Sequence, residues 1–255
     1  MKAKQYLVVS EPLPNIYLSV VIPAYNEAER IGATLQKIND YLLTRDYRSE
    51  VIVVDDGSTD TTPQVVRKIA QGIPLIRLLE NGANRGKGYS VRAGMLNARG
   101  EIILFSDADL STPIQELDKL TDWLNQGYDI AIGSRALPES DIVVRQPLIR
   151  EFMGKTFNQL VQLLTISGIR DTQCGFKVFS KDAAKDIFEK QTIWGFSFDV
   201  EILFIARKSG YRIKEVPIRW INSPNSRVHI VKDSFLMLCD LVKIRMRYLM
   251  GKYRL

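Results

Sequence analysis

Asp107 and Asp109 close the apolar run Ile102-Ile-Leu-Phe-Ser106 and are the residues of this chain whose type and spacing most directly suggest chemistry. The run reads as a buried strand. Side chains two apart in extended backbone point the same way, so the spacing predicts both acids leaving together from the carboxyl edge of a sheet. Open α/β sheets bind their ligands at that edge. Neighbouring carboxylates repel one another unless a cation lies between or beside them, and their hard oxygens suit Mg²⁺ or Mn²⁺, with phosphate oxygens and water completing the shell. The same short motif also reads as a polar turn capping the helix that begins near Pro113.

Four more polar clusters fall just after apolar, strand-like runs. Tyr25, Asn26 and Glu27 follow 18–23, and Asp55 and Asp56 close 51–55. Lys87 lies in the glycine-rich loop 81–88 beyond a run at 75–79, and Arg135 follows 129–133. If these strands are parallel, all five clusters share one edge. Such an edge suits a nucleotide: an aromatic ring to pack the base, acids to bond its edge or the ribose, and a metal on the diphosphate. The alternatives are poorer. No G-x-G-x-x-G follows the first strand and no P-loop is present. His229, the single histidine, stands in a late basic loop and gives no Ser-His-Asp set. Asp199 and Glu201 suggest a general base for attack by a hydroxyl; a structural role is the favoured reading.

The elements that must position these residues alternate. Strands at 18–23, 51–55, 75–79, 102–106, 129–133, 175–179 and 211–217 are interleaved with helical patterns near 31–42, 61–71, 88–99, 114–125, 147–165, 181–189, 198–208 and 231–250. The expected class is α/β: a mainly parallel sheet with helices on both faces and amphipathic helices towards the C-terminus. Residues 1–17, broken by Pro12 and Pro14, read as an irregular lead-in, 18–229 as the main domain, and 230–255 as a basic amphipathic helix at a membrane surface.

Composition supports a sizeable core in a chain of 255 residues with net charge +6. No apolar run approaches the roughly 18 residues of a membrane span, and the charged start is no signal peptide. The expectation is a cytoplasmic protein attached peripherally to the cytoplasmic face of a membrane. The basic excess after residue 230 points to an anionic surface, phospholipid or nucleic acid. No aromatic-interleaved basic surface or nucleic-acid motif supports the latter, so no nucleic-acid partner is expected. Cys174 and Cys239 are in no metal or redox spacing and read as reduced thiols, one or both buried.

Taken together, Val20-Val-Ile-Pro-Ala-Tyr-Asn-Glu27, Val53-Val-Asp-Asp-Gly-Ser58, Asn84-Arg-Gly-Lys-Gly88, Asp107-Ala-Asp109 and Gly133-Ser-Arg135 resemble the GT-A glycosyltransferases of the large inverting family that includes dolichyl-phosphate mannose synthase. Within it, residues 169–177, Phe198-Asp-Val-Glu201 and the ending 244–255 resemble the dolichyl-phosphate β-glucosyltransferases. The resemblance implies a GT-A, Rossmann-like fold and metal-dependent inverting transfer of a hexose. Glucose from UDP-glucose onto a polyprenyl phosphate, dolichyl or undecaprenyl, is the first reading; GDP-mannose as donor or a hydroxyl as acceptor are the alternatives, and a non-catalytic nucleotide or nucleic-acid binder is a remoter one.

Carried over position by position, the resemblance implies that Pro23, Tyr25, Glu27 and Asp56 hold the nucleoside, with Lys87 near the base. Asp107 and Asp109 would bind the Mg²⁺ or Mn²⁺ ion and the diphosphate, with Ser111 a further ligand. Arg135, Arg150 and Arg227 would face the phosphates of donor or acceptor, so that the catalytic set is Asp107, Asp109, Arg135 and Arg227. Ser111 stands where the mannose-transferring relatives can have an amide, and Arg227 where a lysine is common. The helices at 147–165 and 231–250 would lie on the membrane surface, or pack on each other or across a dimer.

Overall fold

A run that is apolar on both faces, as at Val20-Val-Ile22 and Val51-Ile-Val-Val54, needs cover above and below. The computed structural model describes residues 15–144, 148–222 and 230–253, with backbone alone for 148–152, 155 and 230–234. In it these runs are the centre of a seven-stranded sheet. Its strands are β1 (Leu18–Ala24), β2 (Ser49–Asp55), β3 (Ile76–Glu80), β4 (Ile102–Ser106) and β5 (Ile130–Ser134), joined later by β7 (Phe176–Ser180) and β8 (Ile213–Pro217). The strands β6 (Asp141–Val144) and β9 (Arg219–Ile221) form a separate parallel pair.

The sheet order is β3-β2-β1-β4-β7-β5-β8. All strands run parallel except β7, which is antiparallel to both β4 and β5. The chain steps from β1 outward through β2 and β3, then returns to lay β4 on the other side of β1. That reversal is a topological switch point, the place where such sheets open a crevice at their carboxyl ends. Pro23 helps to open it. Proline has no N–H to donate, and although β1 stays in register with β2 through Ala24 and Asp55, its pairing with β4 stops at Val21 and Phe105.

Helices cover both faces. On one side lie α1 (Ile31–Leu42), α2 (Thr62–Gly72) and α4 (Leu117–Asn125), against Val20, Ile22, Val51, Val53, Leu104 and Ala131. On the other lie α3 (Lys87–Asn97), α5 (Leu148–Leu164), α6 (Lys181–Lys190), α7 (Phe198–Lys208) and α8 (Ile230–Leu249), against Val21, Ile52, Val54, Ile103, Phe105, Ile130 and Ile132. Neighbours along each strand therefore serve opposite cores, and each fully buried side chain of this size contributes about 1.5–3 kcal/mol.

Several boundaries differ from the sequence reading. The helix expected over 114–125 opens as a 3₁₀ turn, Ile114–Glu116, before α4. The pair β6 and β9 carried no readable signal: the strands are four and three residues long, and β6 is largely exposed. Residues 1–14 of the expected lead-in lie outside the described residues.

The helix α8 divides its surface. Leu241 and Ile244 are buried in the α7-side core, followed by Tyr253 just beyond the helix, whereas Phe235, Leu238, Val242, Met246 and Leu249 are exposed at three- and four-residue spacing. No helix among the described residues is long and apolar enough to cross a membrane.

The thiols also separate. Cys174 is buried, and that burial pushes its pKa up to about 12; Cys239 is partly exposed. Alkylation at pH 8 should label Cys239 alone in the native protein and both thiols after denaturation, read by intact mass; native labelling of Cys174 would contradict the packing.

Candidate active site

The acids at the end of β4 are placed by a turn, where the sequence reading expected strand alternation. Asp107 follows the last strand residue and its N–H donates to Gly175 O at 3.0 Å. Ala108 is buried, its carbonyl accepts the Thr34 hydroxyl of α1 at 2.7 Å, and Leu110 adopts φ +45°. Asp109 turns back so that Oδ1 accepts the Ser111 N–H at 2.9 Å. Ser111 in turn accepts the Ile221 N–H at 2.7 Å, so the small β6–β9 sheet braces this turn.

Asp107 is held from both sides. Its Oδ1 lies 2.6 Å from Lys87 Nζ. Beneath it, a Cβ on Gly175 would collide with Oδ2, so a side chain at 175 would force this carboxylate out of its present position. Burial works to lower the Lys87 pKa, but Asp107, Asp199 and Asp109 outweigh it and the pKa is raised; this lysine stays a cation.

Arg30, which the sequence reading passed over, belongs to the same edge. Its Nη2 donates to Glu27 Oε1 at 2.8 Å and its Nε to Glu27 Oε2. Its pKa is raised chiefly by that hydrogen bond and further by the charges of Asp109 and Asp107, which puts all three in one electrostatic neighbourhood. The signal was the three-residue spacing from Glu27, the reach of a side-chain pair on a helical turn.

The residues expected around the nucleoside gather at the same edge with distinct structural duties. Tyr25 lies half-buried just past β1. Asn26, at φ +54°, accepts the Thr59 N–H at 2.7 Å and ties the end of β1 to the turn after β2. Both oxygens of Asp56 serve the glycine-rich loop: Oδ1 accepts Asn81 Nδ2 at 2.8 Å and the Arg85 N–H at 3.0 Å, and Oδ2 accepts the Gly86 N–H at 2.8 Å. Asp55, to which the sequence reading gave no ligand, keeps the spare acceptor: Oδ2 caps the Gly57 and Ser58 amides at 3.1 Å each, and Oδ1 is buried with no hydrogen-bond partner among the described residues.

Arg135 leaves the end of β5 and is gripped by Asp171, which accepts its Nε at 2.7 Å, its Nη2 at 2.8 Å and its backbone N–H at 3.0 Å. Burial opposes charge on Asp171, yet Arg135 prevails and holds the carboxyl below its usual range. Trp220 stacks under the guanidinium, 5.4 Å from ring centre to Cζ. Asp171 had no role in the sequence reading, although the motif that contains it had been noted. Arg150 lies on α5 with its side chain outside the described residues, and Arg227 lies outside them altogether.

Behind this edge Lys177 is fully buried, with Nζ 2.5 Å from Asp199 Oδ1 and 2.5 Å from Cys174 O. Burial raises the Asp199 pKa against the pull of Lys177 and Lys87. Glu201 is likewise committed to the protein, accepting from the Thr192 and Ile193 amides at 2.9 and 2.7 Å and from the Tyr253 hydroxyl at 2.8 Å.

Among the described residues no three His, Cys, Asp or Glu side chains converge as a metal cage. Two hard carboxylates at an open edge would suit an ion that completes its shell with phosphate and water. With Lys87, Arg30 and Arg135 alongside, the arrangement can gather an anionic diphosphate and neutralise charge that develops on it.

Comparison with known proteins agrees with this geometry. The model of the family described as Glycosyl transferase family 2 matches residues 19–188. A dolichyl-phosphate beta-glucosyltransferase of Dictyostelium discoideum is 37% identical, covering 96% of this chain and 78% of the relative. The Saccharomyces cerevisiae enzyme of the same name is 39% identical, covering 96% of this chain and 82% of the relative. The crystal structure of glucosyl-3-phosphoglycerate synthase from Mycobacterium tuberculosis in complex with Mn²⁺, UDP and glucosyl-3-phosphoglycerate shares the fold, with a TM-score of 0.64 at 18% identity over 94% of this chain and 81% of that one. A switch-point crevice lined by paired acids and cations, a family match across the sheet and its helices, and identity sustained to the C-terminal helix lead to one conclusion: this chain is a glycosyltransferase and belongs to glycosyl transferase family 2.

Proposed function

We propose that the enzyme transfers glucose from UDP-glucose to a polyprenyl phosphate such as dolichyl phosphate, with inversion and with Mg²⁺ or Mn²⁺, at the cytoplasmic face of a membrane. One observation carries the reading: Asp107 and Asp109 leave the carboxyl edge of the sheet at its switch point, with Lys87 Nζ 2.6 Å from Asp107 Oδ1. The relatives named dolichyl-phosphate beta-glucosyltransferases support the acceptor and the sugar, and the structural neighbour with bound Mn²⁺ and UDP supports the nucleotide and the ion.

In this reading Pro23, Tyr25, Glu27 and Asp56 border the nucleoside, and Lys87, expected from the sequence near the base, is assigned to the diphosphate instead because its Nζ lies 2.6 Å from Asp107 Oδ1. Asp107 and Asp109 offer the donors that suit the ion, with Ser111 beside them. Once bound there, a divalent cation supplies charge neutralisation for the departing UDP. The chain's own task is to bring two anions together. A phosphate monoester has its second pKa at about 6, so the acceptor oxygen is already anionic near neutral pH and needs no general base. The commitments of Asp199 to Lys177 and of Glu201 to backbone amides agree with that. Arg135, fixed by Asp171, and Arg150 and Arg227 are the arginines assigned to phosphate.

The exposed face of α8 supports attachment to the membrane. Phe235, Leu238, Val242, Met246 and Leu249 make an apolar strip, with Lys243 and Arg245 on the same helix to meet headgroups. The polyprenyl tail then stays in lipid while its phosphate reaches the sheet edge.

Incubation with labelled UDP-glucose or GDP-mannose, polyprenyl phosphate and Mn²⁺, followed by organic extraction, tests donor and acceptor together. Label from UDP-glucose should enter the lipid phase, and Asp109→Ala should abolish it while the circular dichroism spectrum is kept; undiminished transfer by that variant refutes the metal assignment. Gly175→Ala should cost about a hundredfold in turnover, since the new methyl displaces Asp107 by an ångström or so. In flotation with anionic vesicles the protein should rise with the lipid, and Val242→Glu with Met246→Glu should leave it behind; equal flotation would remove α8 from the attachment surface.

A further inference from the structure

Glu201 has no place in the transfer chemistry described above, yet it is fully buried and saturated with donors. Besides the Thr192 and Ile193 amides and the Tyr253 hydroxyl, it accepts the Thr192 hydroxyl at 2.5 Å. Arg247 of α8 reaches the same knot: Nη1 donates to Thr192 Oγ1 and stands 3.8 Å from Glu201 Oε1. The carboxylate thus fastens the 191–194 loop to the last helix and to Tyr253, which follows it.

That loop grips the backbone at Gly88, just after Lys87, and packs against it at Gly86, just before. Trp194 O accepts the Gly88 N–H at 2.7 Å. Gln191 Nε2 spans Gly88 O and Ile193 O, at 2.9 Å each. The two backbones touch with no side chain between them: a Cβ on Gly86 would meet Trp194 O at 2.5 Å, and one on Gly88 would meet Ile193 O at 2.6 Å. The front of the same segment is held by Asp56 through the Arg85 and Gly86 amides. Lys87 therefore reaches Asp107 from a peptide clamped between two carboxylates, Asp56 ahead of it and Glu201 behind.

We propose that Glu201 is a positioning residue for the transfer reaction, acting with Tyr253 through the 191–194 loop to hold Lys87 against Asp107, so that the seating of the C-terminal helix is felt at the donor diphosphate. The inference rests on the reading that Lys87 serves that diphosphate. A buried acid fixing backbone by several hydrogen bonds transmits a change at one partner to the others, and the test of such transmission is non-additivity.

The experiment compares the full-length wild type with Tyr253→Phe, Glu201→Gln, Lys87→Ala and the double variant Tyr253→Phe with Lys87→Ala. It measures amide hydrogen exchange across residues 84–95 and UDP affinity in Mn²⁺ by calorimetry. Tyr253→Phe removes a single hydroxyl from a packed ring, so it keeps the question open should Glu201→Gln fail to fold. In Tyr253→Phe, exchange at the Gly88 amide should quicken about tenfold and UDP affinity should fall about tenfold, the size of one hydrogen bond to a charged group. In the Lys87→Ala background the same change should alter UDP affinity less than about twofold. A purely structural role would leave the two losses multiplicative, and that result overturns the proposal, as does unchanged exchange at Gly88. If Lys87→Ala binds UDP like the wild type, the assignment of Lys87 to the diphosphate falls and takes the positioning role with it; faster exchange at Gly88 in Tyr253→Phe then marks that failure as one of the functional reading and not of the clamp.

Discussion

The ion pair between Lys87 and Asp107 is the contact around which the rest of the structure is arranged. Two carboxylates cannot stand side by side at the mouth of a sheet unless positive charge is close, and a flexible lysine is useful there only if its backbone is fixed. The fold supplies the fixing from both ends. Asp107 is set by its bond to Gly175 O and by the hollow over Gly175; Lys87 is set by Asp56 in front and by the Trp194 carbonyl behind. Parallel strands with short exits bring these pieces, distant in sequence, to one edge.

How much of this was legible in the sequence follows from the range of the interactions. The strands that bury both faces, β1, β2, β4 and β5, announce themselves through uninterrupted apolar runs, and the helices between them through their 3.6-residue spacing. The pair β6 and β9 did not, because three or four residues at a surface carry no period and their pairing depends on a partner far along the chain. The antiparallel direction of β7 was also hidden. Residues 175–179 read as a strand, but no local pattern shows that it pairs antiparallel with both β4 and β5.

The site was legible by residue type more than by geometry. Asp107, Asp109, Lys87 and Arg135 stand together at the edge, and Tyr25, Glu27 and Asp56 border it. Their duties were less visible. Alternation along a strand was the wrong reason for expecting the two acids together, since β4 ends at Ser106 and a turn buried through Ala108 orients Asp109. Asp56 was assigned to the nucleoside from its place after β2, because no sequence pattern shows that a carboxylate will be taken up by amides thirty residues away. Asp171 and Gly175 shape the arginine and the acid from a loop whose spacing to either carries no period.

Charge at the site explains why one lysine cannot suffice. Around the edge Glu27, Asp107, Asp109, Asp171 and Asp199 meet the cations Arg30, Lys87, Arg135 and Lys177, so the cluster is close to neutral, and most of its positive charge is already paired. A sugar nucleotide arrives with its diphosphate charge and, in the proposed reaction, a dianionic lipid phosphate must approach the same carbon. In that reaction the extra positive charge would come from a divalent ion on Asp107 and Asp109 and from the arginines assigned to phosphate. In the proposed reaction, spacing of charge, more than any single acid or base, is therefore the quantity the fold has to control.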